Sequence, residues 1–256
     1  MSMGEVETDV DAFEALERRI WARSAAAYAA SVARLCAHPV PLLLDAAGVR
    51  SGSTVLDVGT GTGTAAAAAC ARGARVTAVD AEPGMLAAAR RTAPEARVRV
   101  ATLPELPFPD GAFDAVVGNF VLNHVGRPGE ALAELRRVLR PGGLLMLTIR
   151  DYDDLRSQRI TSTPPQVSDH EAGRAVTFQL WHWHPDGERY DLEHFQLVPT
   201  SADKPDTWDV RVRRSTYWAL TRAQLSEFVT AVGFGEVTWH EPAETGFYQP
   251  ILTARR

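Results

Sequence analysis

The sequence predicts a doubly wound α/β protein: a mostly parallel sheet with helices on both faces and a small antiparallel β insertion after the fifth strand. Three observations predict it. From Thr54 to Arg150, strand-like and helix-like segments alternate at a length that lays each strand parallel to the last. The β-rich run Thr54 to Val58 ends in glycines at positions 59, 61 and 63, and the helix former Thr64 to Ala71 follows it. Ala175 to His184 and Glu188 to Val198 both alternate apolar and polar residues, with Pro185-Asp186-Gly187 between them as hairpin turn chemistry.

Taken in order, Phe13, Leu16, Ile20 and Trp21 recur at helical spacing, as do Tyr28, Val32 and Leu35. They predict two amphipathic helices covering one face of the sheet. Pro39 and Pro41 separate these from a third short helix, Leu42 to Ala47, ending near Gly48. After the glycine strand come a second strand, Arg75 to Asp80, a helix, Pro83 to Arg91, and a third strand, Arg97 to Ala101. Phe113 to Gly118 reads as the fourth strand and Gly129 to Leu139 as a helix. Arg140-Pro141-Gly142-Gly143 is a helix stop and turn ahead of the fifth strand, Gly143 to Ile149. Asp151 to Gly173 is polar, contains Pro164-Pro165 and has no clear period. Trp208 to Trp218 is a third strand for the insertion. Thr221 is the expected N-cap of a helix running to Val232, with Gly233 ending it. Gly235 to His240 and Phe247 to Ala254 close the chain as an antiparallel pair. The expected organisation is helices over 1–48, a ligand-binding core over 49–150, an antiparallel β lid over 151–218, and a helix with a hairpin over 219–256 completing the sheet.

Composition sets bounds on function. The chain has 256 residues, 45% hydrophobic and 23% charged, ordinary for a soluble domain. A formal net charge of −5 argues against nucleic acid and anionic membranes as partners. Lys204 is the only lysine, which GC-rich coding explains. Cys36 and Cys70, both in predicted helices among alanines, read as buried free thiols of a reducing compartment. The acidic stretch Gly4 to Glu17 lacks signal-peptide layout, and no apolar run is long enough to cross a bilayer. The expected location is the cytoplasm, as a monomer or homodimer.

The glycine loop points to a nucleotide-like ligand. Glycine tolerates positive φ and admits a ligand close to the backbone, and the following helix N-terminus offers unpaired N–H groups. A dinucleotide fingerprint needs glycine at its first, third and sixth positions; Gly59 and Gly61 fit, but position 64 is threonine. Asp57, two residues before the loop, is also unusual for a nicotinamide site. A Walker loop is excluded because no Gly-Lys-Ser/Thr follows. Asp80 ends the second strand roughly twenty residues after the loop, where an acid can accept hydrogen bonds from ribose hydroxyls.

At these residues the chain resembles the class I S-adenosylmethionine (SAM)-dependent methyltransferases. The resemblance is carried by Val55-Leu56-Asp57-Val58-Gly59-Thr60-Gly61-Thr62-Gly63, Val76-Thr77-Ala78-Val79-Asp80, Leu106-Pro107-Phe108-Pro109-Asp110-Gly111-Ala112-Phe113-Asp114 and Leu139-Arg140-Pro141-Gly142-Gly143. It covers about residues 50 to 150. It implies a Rossmann-like, seven-stranded sheet with an antiparallel last strand, and SAM over the carboxyl ends of the first, second and fourth strands. Carried over, Gly59, Thr60, Gly61 and Gly63 line the methionine end with Asp57 beneath its ammonium group. Asp80 and Ala81 belong to the ribose side, and Met85 helps cover the adenine. Many relatives place an aspartate against the adenine amino group where this chain has Thr102, a departure that removes charge assistance. Leu103 beside it offers backbone contact. Asn119 matches a position near the SAM carboxylate and sulfonium, and Tyr28 resembles a tyrosine that folds over SAM. The product would be S-adenosylhomocysteine.

Methyl transfer from SAM is a direct displacement, so the protein's tasks are alignment and exclusion of water. An amine acceptor needs only deprotonation, whereas a phenol or alcohol needs a general base. His124 is the first candidate, although in relatives a histidine there commonly packs around SAM. His182 and His184 share one face of the first inserted strand, opposite Trp181 and Trp183. With His194 across the hairpin they raise the question of a metal, but Asp191 and Glu193 are expected on the opposite face, and no metal site is assigned. His182, His184, Tyr217, Trp218 and Tyr248, with Gln249, are the expected acceptor-side residues. Trp181, Trp183, Trp208 and Trp218 point to an apolar or aromatic small-molecule acceptor, with buried core as the structural alternative. Two rivals stand beside methyl transfer to nitrogen or oxygen: a protein of this fold catalysing a non-methylating biosynthetic reaction, and an NAD(P)-dependent oxidoreductase.

Overall fold

The computed structural model describes Phe13, Trp21, Ala37 and residues 40–170, 173–201 and 207–256. Tyr28, Cys36 and most of the two expected N-terminal helices lie outside the described residues; Phe13 and Trp21 are helical. The chain divides into two compact units, one built from residues up to Asp151 and from Thr221 onward, the other from Tyr152–Leu220.

In the first unit, α1 (Val40–Ala46) buries Val40, Leu43 and Leu44, a stripe at helical spacing. Then come β1 (Thr54–Val58), α2 (Thr64–Ala71), β2 (Arg75–Asp80), α3 (Pro83–Thr92), β3 (Arg97–Val100) and β4 (Phe113–Asn119). A 3-10 turn at Leu122–His124, α4 (Pro128–Val138) and β5 (Leu139–Thr148) follow. After the second unit, the chain returns as α6 (Arg222–Ala231), β10 (Gly235–His240), α7 (Pro242–Thr245) and β11 (Ile251–Arg255). The sheet has seven strands in the order β10-β11-β5-β4-β1-β2-β3. Pairs among β1 to β5 are parallel, and β11 pairs antiparallel with both β5 and β10. Chain order reverses between β1 and β4, which opens a crevice at the carboxyl ends of those strands.

Both faces of the sheet are covered, so its strands are apolar on both sides. Leu56, Val58, Val116, Leu145 and Leu147 pack with Leu132, Leu135 and Val138 of α4 on one face. Val55, Ala78, Val117 and Met146 pack with Leu43 and Leu44 of α1 and Ala66 and Ala69 of α2 on the other. Strand alternation puts Asp57 on the same face as Val55, under α2. Cys70 on α2 is only partly buried, contrary to expectation, and packs against the edge of the core on that face.

Three sequence expectations change here. Arg140-Pro141-Gly142-Gly143 is not a turn outside the sheet. It is the bulged lead-in to β5: Leu139 pairs with Phe113, and the ladder resumes at Leu144 with Ala115. Phe247 to Pro250 is not strand, and β11 starts at Ile251 after the short helix α7. Within Asp151 to Gly173, read as lacking a period, the structure has α5 (Tyr152–Gln158) and β6 (Gln166–His170).

The second unit adds β7 (Gly173–Trp183), β8 (Arg189–Pro199) and β9 (Trp208–Trp218) to α5 and β6. Its antiparallel sheet runs β6-β7-β8-β9, four strands where three were expected. One face carries Trp181, Tyr190, Leu192 and Tyr217, buried with Tyr152 of α5. Tyr190 stacks on Trp181 at 4.3 Å and on Tyr217 at 5.5 Å between ring centroids. The opposite face holds the stacked pair Phe178 and Phe195, 4.8 Å apart, and the exposed Val212. Trp208 is also exposed, so it is not part of the core.

Candidate functional site

The glycine loop is built by packing as much as by any ligand. Gly59 has φ +64, and a Cβ there would sit 2.6 Å from Val121 Cγ2. Gly63 has φ +86, and its Cβ would lie 2.8 Å from the Ala89 Cα of α3. Both positions therefore demand glycine for backbone and steric reasons. Gly61 also has positive φ.

Two carboxyls hold this loop. Asp57 is 3% exposed; its Oδ2 accepts from Thr60 Oγ1 at 2.6 Å, and it also accepts from the Ala66 backbone N–H. Asp57 thus caps α2, whose N-cap residue, Gly63, has no side chain to do so. Burial raises its pKa to about 7 despite those two hydrogen bonds, and the nearby Asp80 adds to the rise. Asp80 accepts from the Gly61 N–H and from the Glu82 N–H, each at 2.9 Å. Burial also raises the Asp80 pKa, against the pull of these two N–H groups and of His124. A buried and a half-buried acid under a glycine loop form an acceptor set suited to a cation with hydroxyl groups; Asp57 has no basic side chain among the groups that shift it.

Asn119 ends β4. Thr148, directly across on β5, accepts the Phe120 N–H at 2.9 Å and donates to Asn119 Oδ1 at 2.7 Å. Phe120 has φ +58, a strained conformation for a bulky residue at a site rim. Its ring meets Phe247, which meets the exposed Tyr248 at 4.6 Å. His124 packs edge-on against Trp21 at 5.1 Å. Asn123 is buried, and its Oδ1 has no hydrogen-bond partner among the described residues. Met85 is buried in α3, Ala81 is exposed, and Thr102 is exposed in a turn where its carbonyl accepts from Glu105 N–H at 3.0 Å. Leu103 is half-buried against the α4 side of the core.

In the second unit, Asp191 and Glu193 do lie opposite His194 as expected, but His182 and His184 fall on the acids' face rather than on that of His194. His182 pairs directly with Asp191 in the ladder, so the acids and these two histidines share a face. His182 Nε2 lies 3.4 Å from Glu193. His184 Nε2 lies 3.1 Å from Asp191 Oδ1 but out of line for a hydrogen bond. His194 pairs with Gln179 on the other face, and no metal-ligand cluster occurs among the described residues. Tyr217 is buried in the aromatic core, and Trp218 is half-buried at the end of β9.

The methyltransferase domain family known as Methyltransf_11 matches residues 56–147, the span of this loop, Asp80 and Asn119. Over that span the chain is similar to a methyltransferase domain. A demethylmenaquinone methyltransferase of Renibacterium salmoninarum is 42% identical over 106 residues, 41% of this chain and 45% of that one. The match spans less than half the length of such curated relatives. The SAM-bound amino pentose methyltransferase CalS10 of Micromonospora echinaspora superposes with a TM-score of 0.67 at 21% identity, over 86% of this chain and 89% of that one. The cyclase SpnF superposes at 0.54 and 21% identity, over 86% of this chain and 80% of that one. These structures share the fold. No helix among the described residues is long and apolar enough to cross a membrane.

Reading the sequence for this site passed over Thr148, Asn123, Glu134 and Arg137. Thr148 could have been found as a polar residue inside the apolar run Leu144 to Ile149.

Proposed function

We propose that this protein transfers the methyl group of SAM to a nitrogen or oxygen of a small-molecule acceptor. The observation that carries the reading is the pair of carboxyls, buried Asp57 and half-buried Asp80, fastened to the Thr60-Gly61 turn. In this reading SAM supplies an electrophilic methyl on a cationic sulfur. Asp57 and Thr60 receive its ammonium end along Gly59, Gly61 and Gly63. Asp80, with Ala81, receives the ribose, and Met85, Thr102 and Leu103 the adenine. Asn119 and His124 flank the carboxylate and sulfonium side; Tyr28, matched to the covering tyrosine, lies outside the described residues. Within the second unit the acceptor-side candidates that share a face are His182, His184 and Trp218, while Tyr217 lies in the core of the opposite face. If the acceptor is a phenol or alcohol, His182 and His184 are the candidate general bases on this unit. The relatives named for methylation of a quinone precursor and of an amino pentose support a small acceptor, apolar or aminated.

Calorimetric titration of Asp80→Ala with SAM tests the ribose assignment. Loss of charged hydrogen bonds costs roughly 1.5–3 kcal/mol each. Unchanged affinity ends it. Likeness to a cyclase favours the second reading, a non-methylating reaction on the same scaffold. Release of S-adenosylhomocysteine from labelled SAM over quinols, phenols and amino sugars separates the two. Product formed with SAM left intact supports the second reading. Thermal shift with SAM, S-adenosylhomocysteine, NAD and NADP addresses the oxidoreductase alternative.

A further inference from the structure

The connection between β3 and β4 has little regular structure, yet its backbone groups are held from one side. Arg137 of α4 donates through Nη1 to the Phe108 carbonyl at 2.8 Å and to Asp110 Oδ1 at 2.7 Å. Through Nη2 it donates to the Leu106 carbonyl at 3.1 Å and to Glu134 Oε1 at 2.7 Å, and through Nε to Glu134 Oε2 at 2.7 Å. Glu134 Oε1 in turn accepts the Leu106 N–H at 2.8 Å. The carbonyl of Arg137 itself accepts from Gly111 N–H at 3.0 Å. Leu106 is therefore fixed at both its backbone groups and Phe108 at its carbonyl, by two side chains one helical turn apart. The Arg137 hydrogen bond is the main cause holding the Glu134 carboxyl below its ordinary range, so the pair stays ionised through neutral pH.

Immediately before Leu106, the Glu105 N–H closes the turn onto the Thr102 carbonyl, and Leu103 leans on the same core as Leu106. The path of Thr102 and Leu103 is thus set by where Glu134 and Arg137 hold the next three residues. We propose that Glu134 and Arg137 are positioning residues for the adenine end of the cofactor, acting through the Thr102–Leu103 turn. This rests on the assignment of that turn to adenine above. It also bears on Thr102: with no carboxylate to seek the adenine amino group, base selectivity falls to the exact position of backbone and hydroxyl. An arginine suits the task because its planar fork reaches two carbonyls and a carboxylate at once, which a lysine cannot.

The test compares affinities for S-adenosylhomocysteine and S-inosylhomocysteine, which differ only on the Watson–Crick edge of the base (6-amino and bare N1 against 6-oxo and N1–H), by calorimetry on the full chain. Wild-type protein prefers the adenine compound. In Arg137→Lys and Glu134→Gln the preference falls about tenfold, as expected for loss of about one well-aligned hydrogen bond. A merely structural role weakens both compounds equally and leaves their ratio intact; that result in a folded variant overturns the proposal. If thermal melting shows that Arg137→Lys does not fold, Glu134→Gln, which keeps the arginine and removes one charge, carries the test. A wild-type protein with no preference between the bases removes the adenine assignment, and the proposal with it.

Discussion

Asp57 is a carboxyl placed where ionisation is most costly, and its titration gives a signed expectation. Its folded-state pKa of about 7 lies well above the unfolded value near ~3.9. Between those values the folded chain keeps a proton that the unfolded chain has released. Stability from this group is therefore complete below pH ~4 and is lost as pH rises to about 7, by up to ~4 kcal/mol. Melting temperature measured from pH 4 to 8 should carry this decline in wild-type protein, and Asp57→Asn should remove it. A cationic ligand favours the ionised carboxyl, so SAM affinity should climb between pH 5.5 and ~7, with proton release visible as a buffer-dependent calorimetric heat. Thr148 makes a second residue-level case. Thr148→Val strands the Phe120 N–H and removes the hydroxyl from which Asn119 Oδ1 accepts. SAM affinity should fall by about 1–3 kcal/mol with acceptor KM unchanged.

At the scale of elements, α2 shows how a weak helix is made secure. Its run of alanines allows close approach to β1, β2 and α3 but brings no cap. Asp57 supplies the cap from the strand below, and Gly63 lets α3 close in. Gly63→Ala combines an unfavourable φ with a 2.8 Å contact to backbone. Chemical denaturation should show a loss of at least ~2 kcal/mol. α6 is capped conventionally: Thr221 accepts from Gln224 N–H while Gln224 accepts from Thr221 N–H. Thr221→Ala should cost about 1 kcal/mol in the same measurement. The elements missed in the sequence are short. α5 is fixed by the burial of Tyr152, and β6 by its pairing to β7, so neither is determined locally.

At the scale of the whole molecule, the chain leaves its first unit after Asp151 and re-enters it at Thr221, and the two crossings are tied. Arg222 holds Asp151 through two hydrogen bonds of 3.1 and 2.9 Å and Glu241 through one of 3.0 Å. Gln249 also accepts the Asp151 N–H. Arg222→Met should lower the melting temperature, with an Asp151–Arg222 coupling of about 1–2 kcal/mol in a double-mutant cycle. In a two-unit chain such a clasp spares the sheet the fraying expected where a 69-residue insertion, Tyr152–Leu220, interrupts it.

From sequence alone came the parallel sheet, its antiparallel end, the glycine loop and the pair Asp57 and Asp80. Each is written in local terms: a two-residue or 3.6-residue period, a turn residue, a fixed spacing. Tertiary structure decided what local terms do not contain. It put Asp191 and Glu193 beside His182 and His184, since register, not ideal alternation along one strand, determines which residues share a face of a sheet. It assigned Gly59 and Gly63 to Val121 and Ala89, partners distant in sequence. It also joined Arg137 to Leu106 and Phe108 across 29 to 31 positions, a contact whose only local trace is an arginine on an amphipathic helix. Hydrogen bonds between remote residues depend on how elements pack, and packing is a property of the whole chain.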